Sequence, residues 1–302
     1  MDWICGMQKA LDYIETHLTE SLNYEQIAKE ALSSSFHFQR VFSLLCGYTL
    51  GEYIRNRRLT LAGAELASSQ SKVIDIALKY GYENPDSFAK AFQRFHGITP
   101  SAARESGVKL CSFAPLVIKL SLEGGTMLNY RIEEREAMLL TGYRQRFHGV
   151  PYGPERLDQE NDFFTTTRAK QWLLTGATWE DRRVFYNVIT NIGDDGYDYY
   201  YAMPLSKWTR EHLYDPNTTG IAFMEQMCFE DIVIAKQTYA IFETTRSQQP
   251  ITEYGDIRHH IVSEWLPSSG YQLAESPEIV KIFWPNGSPE KYVEIWLPIE
   301  KQ

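Results

Sequence analysis

Within its first hundred residues the chain writes one pattern twice: Phe38, Arg40, Phe42, Gly47 and Thr49 are answered by Phe88, Lys90, Phe92, Gly97 and Thr99. Ile27-Ala28 is answered by Ile76-Ala77, one residue out of step, so the pattern is a pair of helical units rather than one long amphipathic stretch. At 3.6 residues per turn, Phe38, Val41, Phe42 and Leu45 form one apolar stripe, and Phe88, Ala91, Phe92 and Phe95 form its equivalent. Those stripes are expected core. The surfaces left outward carry Ser35, Phe36, Gln39, Arg40 and Ser43 in the first copy, and Asp86, Ser87, Lys90, Gln93 and Arg94 in the second.

A short helix from Asn23 to Glu30, with Asn as its cap, precedes the first stripe across the polar turn Ser33-Ser34-Ser35. In the second copy residues 72–79 form the short helix, Tyr80 to Pro85 the turn, with Gly81 supplying the reversal and Pro85 suiting a first helical turn, and Asp86 to His96 the second helix. Each copy is therefore expected to be a helix-turn-helix, whose second helix enters the major groove of duplex DNA. Leu50 to Ser68 reads as one connecting helix about 28 Å long, close to the ~34 Å between successive major-groove entries on one side of the duplex. Its Arg55, Arg57 and Arg58 either contact phosphate or form a solvated face.

Ile27-Ala28, Phe38 to Phe42, Gly47-Tyr48-Thr49, Tyr53 to Leu59, Ile74 to Ala77, Gly81-Tyr82 and Phe88 to Phe92 through Gly97-Ile98-Thr99-Pro100 together resemble the DNA-binding region of the AraC/XylS family of transcription regulators. The resemblance covers residues 6–106. It implies double-stranded promoter DNA as partner and activation through RNA polymerase. Two positions depart from the family pattern: Leu50 stands where Pro is usual, and Asp86 puts an acid on the second reading helix.

Lys and Arg number 30 against 39 Asp and Glu, and since the charges nearly balance as far as residue 112, the acidic excess falls beyond it. A near-neutral DNA binder must gather its cations on one side, here Arg40, Arg55, Arg57, Arg58, Lys90 and Arg94. Cys5, Cys46, Cys111 and Cys228 are isolated, which reads as reduced thiols in a cytoplasmic protein. No apolar run approaches the ~20 residues of a membrane span, and the acidic N-terminus is unlike a signal peptide. His259-His260 point apart on a helix and lack companions at ligand spacing, so neither a metal nor a cofactor is expected.

Residues 109–126 lose the helical period and read as a linker between domains 1–108 and 127–302. Beyond it, residues 127–147 suggest two strands or one bent one, and 154–174 a helix. A hairpin over 183–203 turns at Gly193-Asp194-Asp195-Gly196, and a strand pair is expected over 228–245. A helix over 252–266 and strands near 278–283 and 291–299 complete the chain. The whole is thus expected to be multidomain: an all-α tandem helix-turn-helix, then an α+β domain whose antiparallel sheet is built from two strand-helix-strand-strand units. The acids of Gly193 to Asp198 lack the spaced ligands of a calcium loop and suit a hairpin turn.

In the last strand Tyr292, Glu294 and Trp296 alternate with Val293, Ile295 and Leu297, placing a carboxylate between two aromatics on one face. With Tyr186, Tyr199, Tyr201 and Trp172 nearby, such an anion would suit an organic cation. The alternative is a solvated edge-strand Glu. Tyr239 to Phe242, Glu264 to Tyr271 and Val293 to Ile299 resemble the GyrI-like effector-binding domain over about 127–302. This second resemblance implies sensing of a small hydrophobic, in many cases cationic, effector, with Glu294 matching the domain's carboxylate. The acid of the preceding strand has no clear match, since Val280 or Lys281 takes its place, which leaves a neutral aromatic ligand open. A competing expectation is a hydrolase using Glu294 with Tyr201 or Tyr186, and another is a regulator that needs no ligand.

Overall fold

The computed structural model describes residues 3–105, 107–118, 128–151, 153, 155–177, 184–285 and 289–301. Contacts divide the chain into two compact units, one of residues 1–42 with 48–122 and the other of 123–302 with 43–47.

The first unit is helical: α1 (Trp3–Thr16), α2 (Tyr24–Glu30), α3 (Ser35–Cys46), α4 (Leu50–Ser68), α5 (Val73–Lys79) and α6 (Pro85–His96), followed by a 3-10 turn at Ala102–Arg104. Its local signals act as the sequence suggests. Asn23 caps α2 by accepting from the Glu25 N–H at 2.7 Å. Thr49 and Glu52 cap α4 reciprocally at 3.0 and 2.8 Å. Gly81 sits at φ 83°, a left-handed conformation that strains any side chain, and a Cβ there would also push on Arg58 Nη1 at 2.6 Å, so the second turn favours glycine.

Phe38, Val41 and Phe42 are buried in the first copy, and Phe88 and Phe92 in the second with Ala91 and Phe95 packed against them. Leu45 departs from expectation. It is 39% exposed, lying in the last turn of α3 beyond the reach of that core. α4 serves both copies, burying Tyr53 and Ile54 toward one end and Leu59, Ala62 and Leu66 toward the other. Part of the stretch read as linker is also held here: Cys111 N–H donates to His96 Nδ1, Phe113 N–H to Thr60 Oγ1 and Leu116 N–H to Tyr53 Oη. Residues 119–126 of that stretch lie outside the described residues.

The second unit runs β1 (Tyr130–Arg135), β2 (Met138–Phe147), α7 (Arg156–Thr166), α8 (Arg168–Ala177), β3 (Val184–Gly193), β4 (Gly196–Met203), α9 (Lys207–Leu213), α10 (Gly220–Met227), β5 (Glu230–Ile234) and β6 (Gln237–Glu243). It continues with α11 (Ile251–His260), a π-helical turn (Ile261–Trp265), α12 (Leu266–Ser268), β7 (Tyr271–Leu273), β8 (Glu278–Phe283) and β9 (Tyr292–Lys301). The sheet order is β1-β6-β9-β8-β3-β4-β2-β5, with β7 beside β9, and the pairings among described strands are antiparallel. The expected duplication is present. β2, α7 with α8, β3 and β4 mirror β6, α11, β8 and β9 across the β3·β8 pair.

One expectation fails: β5 and β6 are sequence neighbours but not partners, because β5 pairs with β2 and β1 pairs with β6. The two-residue link from Arg135 to Met138 spans at most roughly 11 Å, whereas six strand spacings in a flat sheet amount to about 29 Å. The sheet must therefore curl. Its enclosed face packs Leu140, Val188, Tyr200, Tyr239, Ile241, Ile279 and Trp296 together. The other face lies under helices, with Tyr143, Phe147, Tyr199 and Tyr201 against Phe163 and Leu174. The acids of the β3–β4 turn serve the hairpin: Arg146 reaches Asp195 at 2.5 Å and Asp198 at 3.2 Å.

Candidate nucleic-acid interface and ligand site

The second reading helix presents the expected surface. Asp86, Ser87, Lys90, Gln93 and Arg94 of α6 are all exposed. The first copy is different: Ser35, Phe36 and Gln39 of α3 are half-buried, Gln39 donating to Ser35 at 3.0 Å, while Arg40 and Ser43 are buried. The helical period fixes the side on which Arg40 and Ser43 stand, but not their burial, which is nearly complete. Their expected exposure is corrected accordingly.

Of the three arginines on α4 only Arg55 is exposed, with Glu52 at a loose 3.9 Å. Arg57 is buried: its Nε and Nη2 bind Glu15 at 2.9 and 2.8 Å, and its Nη1 donates to the Phe113 carbonyl at 2.5 Å. Arg58 donates to the carbonyls of Leu18 and Glu20 at 2.8 and 2.6 Å. Both therefore tie the end of α1 and the turn after it to α4, and their guanidiniums are engaged within the protein.

The aromatic set expected around Glu294 divides between the two faces of the sheet. Glu294 pairs in register with Lys281, which pairs with Tyr186, so Tyr186, Tyr292 and Trp296 share its face. Tyr199 and Tyr201 lie on the other face, Tyr201 opposite Asn187 and Asn187 opposite Val280. Trp172 is 78% exposed on α8. Alternation along each strand was legible, but the register that joins strands was not.

Glu294 is buried, and the protein supplies its cations. Arg131 Nη2 donates to it at 2.7 Å, the Trp296 indole N–H donates at 2.8 Å, and Lys281 Nζ lies 3.6 Å away. Arg135 stands 4.7 Å over the Trp296 ring. Burial pushes the Glu294 carboxyl up, but the Arg131 hydrogen bond, the Lys281 charge and the indole outweigh it and hold the group below the ordinary range. A carboxylate so saturated is a poor general base. Tyr201, proposed as its partner in hydrolysis, is across the sheet.

Sequence reasoning passed over a cavity on the helix-covered face. Its floor is Asn187, Val280, Ile282 and Val293, and its walls are Arg156, Glu160 and Phe164 of α7 and Ile251, Tyr254 and Arg258 of α11. Arg156 donates to Glu160 at 2.7 Å and to Tyr254 Oη at 3.0 Å. Arg258 donates to the same phenol oxygen at 2.7 Å and to Glu278 at 2.9 Å. Asn187 Oδ1 is buried without a hydrogen-bond partner. The available signal was a basic residue on the inward side of each flanking helix, Arg156 seven positions before buried Phe163 and Arg258 three before buried Ile261. Among the described residues no cluster of His, Cys, Asp and Glu could hold a metal ion, and no helix is long and apolar enough to cross a membrane.

Residues 27–106 match the model of a helix-turn-helix domain family. The HTH-type transcriptional activator AarP of Providencia stuartii is 44% identical over 100 residues, which are 33% of this chain and 74% of that protein. The regulatory protein SoxS of Salmonella typhimurium is 38% identical over 98 residues, 32% of this chain and 92% of SoxS. Among solved structures, SAV2435 bound to tetraphenylphosphonium aligns with 57% of this chain and 94% of its own at 15% identity and a TM-score of 0.43. With two open or half-open reading helices on one connecting helix, and relatives of this similarity, the chain belongs to the AraC family of helix-turn-helix DNA-binding transcription regulators.

Proposed function

We propose that this regulator is effector-responsive: α3 and α6 read neighbouring major-groove segments of promoter DNA, Arg55 contacts phosphate, and the second unit binds a small, largely hydrophobic molecule between the sheet, α7 and α11. The observation that carries the reading is the cavity itself, an apolar recess with a few convergent polar groups between the sheet, α7 and α11. Similarity to a transcriptional activator favours activation through RNA polymerase, in the cytoplasm where promoters lie. Glu294 has no place in the ligand site of this reading, since its charge is already matched on the opposite face. The hydrolase reading loses Tyr201 to the other face and keeps Tyr186 on the face of Glu294, but the carboxylate it would use as a base is already held by Arg131 and Lys281.

Two measurements test the proposal. Lys90→Ala on the open face of α6 should weaken binding to a selected promoter fragment about tenfold, or ~1.4 kcal/mol. An unchanged footprint removes α6 from the interface. A compound that raises the melting temperature of the full chain should also change its promoter affinity by a coupling of about 1–3 kcal/mol. Affinity indifferent to every stabilising compound leaves a DNA binder without a sensor.

A further inference from the structure

We infer that the cavity under α7 and α11 is built for an uncharged, flat, largely apolar ligand bearing one amide-like group, which Asn187 holds on the sheet floor. The inference rests on the effector reading above and names its ligand class.

Charge balance comes first. The cavity wall carries two buried guanidiniums, and each already has a carboxylate: Arg156 with Glu160 and Arg258 with Glu278. Both arginines also converge on Tyr254 Oη, which fixes them in place. An entering cation would meet these two positive groups with no unspent carboxylate to face, and burying such a charge is unfavourable. An entering anion would meet guanidiniums whose charge is already matched, and although Arg258 Nε is left without an acceptor, a neutral carbonyl can take that N–H without adding a second negative charge beside Glu278. A neutral molecule disturbs neither pair.

The second argument is the carboxamide. Asn187 is 3% exposed and sits on the floor among Val280, Ile282 and Val293, and its Oδ1 has no donor. A buried acceptor left unpaired is costly, and a ligand N–H removes that cost on binding. Because a carboxamide donates as well as accepts, a lactam or planar amide can answer it twice, N–H to Oδ1 and C=O from Nδ2. The rest of the floor and the Phe164 and Ile251 walls are apolar and suit a ring. There is room on the α11 side, where a Cβ added at Gly255 would meet nothing within 4 Å.

The experiment compares three probes of one ring size on the full chain: quinolin-2-one, quinoline-2-carboxylate and N-methylquinolinium. Melting-temperature shifts and titration calorimetry are measured for wild type, Asn187→Leu and Gly255→Trp. The expected result is saturable binding of quinolin-2-one, at least tenfold tighter than either ion, lost in Gly255→Trp and weakened tenfold or more in Asn187→Leu. Without ligand, Asn187→Leu should melt no lower than wild type, since it removes an unpaired polar group. Should that variant fold poorly, the ranking of the three probes on wild type decides alone. Tighter binding of either ion, still blocked by Gly255→Trp, overturns the neutral-ligand inference and leaves the effector cavity standing. Binding of any probe that Gly255→Trp does not touch overturns both. Absence of binding by all three overturns the amide assignment.

Discussion

Arg57→Ala should lower the stability of the helical unit by about 3 kcal/mol, the lower end of the range for removing one partner of a buried ion pair, because the Glu15 side chain retains 25% exposure. Arg57 binds Glu15 through two nitrogens, and the Tyr53 hydroxyl donates to the same carboxylate at 2.6 Å. The truncation therefore strands an acid that α1 delivers to the middle of α4, and it also frees the Phe113 carbonyl. For a domain of this size that corresponds to roughly 12–20 °C in melting temperature. The salt dependence of DNA binding by the folded protein should stay as it was, whereas Arg55→Ala should reduce the slope by about one phosphate without moving the melt. Circular dichroism melts and a salt titration of promoter affinity separate the two arginines. A normal melt with a reduced salt slope in Arg57→Ala would return that residue to the DNA interface.

The contrast between Arg55 and Arg57 shows what the sequence could and could not disclose. The duplicated helix-turn-helix was legible because its signals are local: Ile27-Ala28 and Ile76-Ala77 are buried as their spacing requires, Asn23 and Thr49 cap their helices, and Gly81 makes its turn. In the second unit the strands and the two-fold repeat were likewise visible in alternation. What failed was long-range. Arg57 finds Glu15 42 residues away, Arg131 finds Glu294 across 163, and β5 leaves its neighbour β6 for β2. A one-residue step in any strand pairing exchanges the faces, so the aromatic ring imagined around Glu294 depended on registers that no single strand encodes. α9 and α10 were missed as well, being seven and eight residues long and lacking a full amphipathic period. The cavity was hidden for the complementary reason: Asn187 stands inside an otherwise apolar strand and carries no motif.

Glu294→Gln should destabilise the sheet unit by about 3 kcal/mol at pH 7, again the low end for a buried pair because Arg131 is partly exposed. Glutamine can still accept from the Trp296 indole, but Lys281 loses the carboxylate 3.6 Å away and Arg131 loses its buried partner, keeping the half-buried Glu133 at 2.6 Å and Glu243 at 3.8 Å, beside the ring that Arg135 already covers. The penalty should depend on pH with a definite sign. The folded carboxyl titrates below its unfolded value of about 4.3, so its stabilising contribution is complete above that pH. It is lost as pH falls through the lower folded value, where wild type and variant should converge. Urea denaturation at pH 7 and across pH 5 to 2.5 measures this difference directly. A gap that persists unchanged into acid means that the loss is one of packing, and Glu294 then stabilises by shape rather than charge. The same variant should bind quinolin-2-one as wild type does, because the carboxylate lies on the face of the sheet away from Asn187. A selective loss of cationic probes in a protein of unaltered stability would instead make Glu294 the sensor's anion and displace the ligand site to the enclosed face.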